Sequence, residues 1–102
     1  MIVLEAIKAK MRPYPVPHTS IEVQCIEFGL DPKETYVQEL KRETNLVCIE
    51  LLKNMLNVSS ISQSGASLGF DTDALRRRLI ALMKEEGLDA SDYAKDSVTR
   101  VF

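Results

Sequence analysis

The sequence predicts an all-α protein, a small bundle of about four helices around one long central helix. Three observations predict it. Apolar residues recur at spacings of three and four along most of the chain, and capping residues and glycines stand where such segments would start and stop. The third is composition: 102 residues, 45% hydrophobic and 27% charged, with no Trp, describe one ordinary globular domain with an aliphatic core.

Residues 2–12 carry Val3 or Leu4, Ile7 and Met11 at helical spacing, with Lys8, Lys10 and Arg12 toward water, and predict a short amphipathic helix. Pro13, Pro15 and Pro17 end it, because each denies a helical hydrogen bond and pushes the residue before it toward extended backbone. This stiff stretch reads as a connector that turns the first helix back on the bundle. The sharper reading, a proline-rich ligand for an aromatic groove, rests on a very short motif.

Thr19 followed by Glu22 has the form of a capping box, and Ile21, Cys25, Ile26 and Phe28 follow at helical spacing before Gly29 supplies a left-handed end. A helix of about ten residues is expected. The spine of the molecule is then read over 31–56 as a single helix. Asp31 is placed as its N-cap, Pro32 as its first residue, and Glu34 where it can return a bond to the cap. Tyr36, Val37, Leu40 and Thr44 occupy a narrow arc, whereas Val47, Cys48, Ile49, Leu51, Leu52, Met55 and Leu56 spread around the helix. The core is therefore expected between Val47 and Leu56. With only Gly29 and Leu30 between the two helices, a helix–tight turn–helix arises, the geometry of many DNA-binding proteins. Its second helix opens acidic, where phosphates would lie.

From Asn57 to Phe70 the chain turns Ser- and Gly-rich and is expected to leave the helix between the last two helices, either for a β-hairpin or extended arm or for a flexible surface loop. Its apolar residues Ile61, Leu68 and Phe70 are the candidate interaction residues, too apolar for an idle loop. No Walker pattern follows, so the segment is not read as a phosphate cradle. Asp71 or Thr72 caps the last strong helix, with Leu75, Leu79, Leu82 and Met83 as its buried stripe. Gly87 stops it and Leu88 closes the end. Arg76, Arg77 and Arg78 point in different directions, since successive helical residues diverge by about 100°, and Asp73 is positioned to pair with Arg77. The organisation expected is a helical bundle domain over 1–88 and an extended or flexible tail over 89–102.

Little in the chain points to chemistry. His18 is the only histidine, so no His pair or His–Cys spacing marks a metal, and no Ser or Cys comes with a base at readable spacing. No catalytic residue, metal ligand, cofactor or small-molecule substrate is expected. The net charge of −2 gives no general attraction to nucleic acid or to an anionic membrane. Cys25 and Cys48 fall inside apolar helical stretches, as buried thiols of a reduced protein do. With no membrane-length apolar run and no signal-peptide pattern, a cytoplasmic protein is expected.

The order of Ser20-Ile21-Glu22-Val23, Phe28 through Asp31-Pro32 to Tyr36, Asn57-Val58-Ser59, Leu68-Gly69-Phe70 and Leu75 resembles the small head–tail connector proteins (adaptor or head-completion proteins) of tailed bacteriophages and prophages. The resemblance covers about residues 2–88; the Ser-rich loop is longer than in that pattern, and the apolar-ended tail departs from it. It implies a non-enzymatic structural protein whose copies form a ring between portal and tail, with DNA passing through the centre. The implied partners are further copies of the chain and phage portal or tail-completion proteins, and the implied location is the virion of an active prophage. The alternative from another class is a small helical DNA-binding regulator.

Overall fold

The computed structural model describes the backbone of residues 1–61 and 72–94, and the side chains of residues 1–57 and 72–93. The fold is all-α. Helices α1 (Val3–Met11), α2 (His18–Glu27), α3 (Lys41–Ile61), α4 (Thr72–Glu85) and the single turn α5 (Ser91–Ala94) follow one another, with a 3-10 turn at Gln38–Leu40 leading into α3. Helix α3 is the centre, since α1, α2 and α4 all pack on it while α5 packs on α4.

The expected start of the spine does not form. Asp31 and Glu34 do make the bonds of a cap: Lys33 N–H donates to Asp31 Oδ1 at 2.9 Å and Asp31 N–H to Glu34 Oε1 at 3.4 Å. They close only one turn. The carbonyls that would continue a helix are taken elsewhere, because Val3 N–H donates to Glu34 O at 2.9 Å and Leu4 N–H to Pro32 O at 3.0 Å. Tyr36 N–H donates to Met1 O at 2.9 Å, and Thr35 bridges antiparallel to Ile2. Residues 31–37 are thus a strap that satisfies the orphan N–H groups at the start of α1. The helix–tight turn–helix between α2 and the spine is accordingly absent. Of the narrow arc expected at the spine's start, Tyr36 and Leu40 pack partly on the core and Thr44 is buried, but Val37 faces solvent.

The other end of α3 also differs: the backbone stays helical through Ile61, past the expected exit at Leu56. Asn57, Val58, Ser59 and Ser60 are poor helix formers rather than breakers, each costing about 0.5 kcal/mol against Ala, and no Gly or Pro intervenes until Gly65. Propagation of an existing helix tolerates such residues. The expected hairpin or arm beyond Ile61 lies outside the described residues.

The core sits where the apolar face of α3 is widest. Val47, Cys48, Ile49, Leu51, Leu52 and Leu56 are buried there against Val3, Ile7 and Met11 of α1, Ile21 and Cys25 of α2, and Leu75, Leu79 and Met83 of α4. Leu82 is only partly buried. The proline stretch is a connector, with Tyr14 and Val16 packed against the core. Helix α2 begins at His18, with Pro17 as the residue before it and no side-chain cap, so Thr19 and Glu22 do not act as a capping box. Both glycine ends behave as read: Gly29 and Gly87 have φ of +76° and +74°, and Leu30 N–H to Cys25 O and Leu88 N–H to Met83 O, each 2.7 Å, close α2 and α4. Asp73 pairs with Arg76 at 3.0 Å rather than with Arg77. The first residues of the expected tail belong to the bundle, since Ala90 is buried and Ser91–Ala94 form α5. The rest of the tail lies outside the described residues.

Candidate functional site

Helix α2 carries more apolar residues than one buried stripe can use. Ile21 and Cys25 are four apart and face α3, both fully buried. Val23 and Ile26 then project the other way, 51% and 68% exposed, and Phe28 follows at the helix end, 37% exposed. Among the described residues the fold covers the side of Ile21 and Cys25. Between α2 and α3 runs an open groove of about 260 Å³ lined by Thr19, Ser20, Val23, Gln24, Leu51 and Asn54. Gln24 Oε1 is buried beside it and accepts no hydrogen bond from the described residues.

Charge frames this apolar pair. Glu22 lies four residues before Ile26, and Glu27 four after Val23, so the carboxylates flank the two apolar residues on the helix surface. Neither makes an ion pair among the described residues.

A second polar cluster joins α1, α3 and the end of α4. Lys10, read as solvated, instead reaches inward: its ammonium donates to Asn45 Oδ1 at 2.6 Å and Thr44 Oγ1 at 3.2 Å, and lies 5.4 Å from the Tyr36 ring centre. Asn45 Nδ2 donates to Glu86 Oε2 at 2.6 Å and Glu85 Oε2 at 3.2 Å. Arg42 pairs with Glu86 at 2.9 Å and Lys41 with Glu85 at 3.4 Å. Thr44 and Asn45 are 0% and 2% exposed, so these bonds satisfy polar groups that burial would otherwise penalise. The cluster is a clamp, its donors and acceptors turned to one another. Nearby, Arg78 donates to the Arg12 carbonyl and lies over the Tyr14 ring.

Both cysteines are buried and free. Burial pushes the Cys48 thiol up to about 11, although Lys10 and Arg78 pull the other way. Burial also raises Cys25, and the charges of Asp31 and Glu22 add to that. Raised thiols are poor nucleophiles. His18 Nε2 lies 2.6 Å from the Lys8 ammonium, which can only donate, and so joins α1 to α2 as an acceptor. Among the described residues no three His, Cys, Asp or Glu side chains cluster as a metal site would need, and no helix is long and apolar enough to cross a membrane.

Of the residues singled out from sequence for interaction, Ile61 is the last residue of α3, while Leu68 and Phe70 lie outside the described residues. The outward pair Val23 and Ile26 escaped the sequence reading, which placed Ile26 and Phe28 on one stripe with Ile21. The available signal was excess: Ile21, Val23, Cys25, Ile26 and Phe28 in eight positions exceed what one face of a short helix holds.

No curated protein and no solved structure gives a significant match to this chain. A family of unknown function, DUF6706, matches residues 1–101, and the chain belongs to that family.

Proposed function

We propose that this protein is a non-enzymatic assembly protein that works, like the phage head–tail connectors it resembles, by joining copies of itself and neighbouring virion proteins into a ring. The observation that carries the reading is α2, whose Val23 and Ile26 stand exposed on the side away from the core. Single exposed aliphatic residues are ordinary on a monomer, but Val23 and Ile26 are helical neighbours three apart, and adjoining apolar residues are what an interaction surface is built from. The clamp around Asn45 ties α3 to α1 and to the end of α4, and Ile21 and Cys25 seat α2 on α3, which suits a part that repeats around a ring. The implied neighbours are portal and tail-completion proteins.

The experiment is sedimentation of the purified chain across a concentration series, with electron microscopy of the largest species and a parallel titration with duplex DNA. Self-association into closed particles with indifference to DNA is expected. Binding to duplex DNA that collapses with added salt, by a chain that stays monomeric, would replace this reading with the DNA-binding regulator.

A further inference from the structure

The two faces of the bundle that flank α3 carry opposite charge. Helix α2 carries two carboxylates, Glu22 and Glu27, and no Lys or Arg. On α4 the balance reverses. Arg77, Ala81 and Lys84 are all exposed, and at helical spacing they fall within about 60° of one another, directly opposite the buried stripe of Leu75, Leu79 and Met83. Arg77 and Lys84, like Glu22 and Glu27, have no ion-pair partner among the described residues. Helices α2 and α4 each pack on α3 and share no packed interface of their own.

We infer that the occupant of the outward α2 face is the α4 face of a second copy, so that copies join head to tail. This rests on the assembly reading above and adds which surfaces meet. Val23 and Ile26 seat against the small side chain of Ala81, while Glu22 and Glu27 reach Arg77 and Lys84. The dimensions agree. Glu22 and Glu27 are about 7.5 Å apart along their helix and Arg77 and Lys84 about 10.5 Å, a difference that long side chains absorb. Pairing α2 with α2 would instead oppose carboxylates across the contact, and an anionic lipid surface would be repelled by them. Because the two patches are different surfaces of one molecule, the contact is heterologous and propagates from copy to copy, closing as a ring where the rotation per copy allows it and running on as a filament where it does not. Such a contact is small, so its strength depends on concentration and salt.

The test uses the full chain in two charge-reversed forms, Glu22→Arg with Glu27→Arg, and Arg77→Glu with Lys84→Glu, each checked for fold by circular dichroism. Each alone should associate at least about tenfold more weakly than the parent, because like charges then face each other. An equimolar mixture should recover association to within about threefold, since every contact in an alternating assembly again joins opposite charges. The milder pair Glu22→Gln with Glu27→Gln covers the case in which a reversal disturbs α2; it should weaken association and flatten its salt dependence. A parent that assembles while the variants assemble equally well, or a mixture that stays dissociated, overturns this interface and leaves the assembly reading standing. A parent that remains monomeric at every concentration overturns both.

Discussion

At the scale of single residues, the most informative group is Cys48. It is fully buried among aliphatic side chains, and the loss of water pushes its thiol from the ordinary 9.0 to about 11 despite two nearby cations. The folded protein therefore holds this proton more tightly than the unfolded chain. For a group whose folded value is raised, the stability it supports is complete below the unfolded value and is lost as pH rises through the folded one. Stability should fall between pH 9.0 and about 11, by about 2 to 3 kcal/mol from this residue. Urea unfolding across that range, on the parent and on Cys48→Ala, measures it; an equal decline in both would show that other groups carry the effect. In the same protein at neutral pH, a thiol reagent should label Cys25 and Cys48 only after unfolding, because both are free yet inaccessible.

Elements are held in register by polar groups as much as by apolar ones. Asn45 is the case in point, one buried side chain bonded to Lys10 of α1 and to Glu85 and Glu86 at the end of α4. Removing it takes a bond from Lys10 and from Glu86, both partly covered, while Glu85 remains about half exposed to water. Asn45→Ala should destabilise by about 1 to 3 kcal/mol, whereas Asn54→Ala, exposed on the same helix, should stay within about 0.5 kcal/mol. Chemical denaturation of the two side by side is the check, and similar midpoints would show that the cluster is decoration. The element boundaries carry a related lesson. Asp31, Pro32 and Glu34 have the residue types of a helix start and do form its local bonds, yet helix does not follow. The N–H groups of Val3 and Leu4 needed acceptors, and the carbonyls of Pro32 and Glu34 supplied them. Cap signals establish where a turn begins; what the next residues do is set by whichever partner claims their carbonyls.

For the molecule as a whole, stability centres on the segment of α3 from Val47 to Leu56, where three helices converge. Leu52 is fully buried within it, and truncating such a residue costs about 2 to 5 kcal/mol. In a chain of this size Leu52→Ala should lower the melting temperature by about 10 °C or more. The exposed Lys33→Ala should leave it almost unchanged. A small shift for Leu52→Ala, followed by circular dichroism, would mean that the core lies elsewhere. Among the described residues the same packing covers α2 on the side of Ile21 and Cys25 and leaves Val23 and Ile26 exposed.

Much of this was legible in the chain itself, and for a common reason. Helical periodicity, the proline connector, the glycine ends at Gly29 and Gly87, the buried cysteines and the core on α3 all follow from local geometry and from which side chains avoid water. These act over a few residues and are written in their order. Other features depend on groups that are distant in sequence. The strap at 31–37 exists because it completes α1, some thirty residues earlier. Lys10 turns inward because Asn45 stands opposite it. Which apolar residues of α2 face out was decided only when Ile21 and Cys25 took the places against α3. Local propensity proposes turns and helices at little energetic difference, about 1 kcal/mol or less per residue, and the tertiary partners that satisfy backbone and bury surface make the choice.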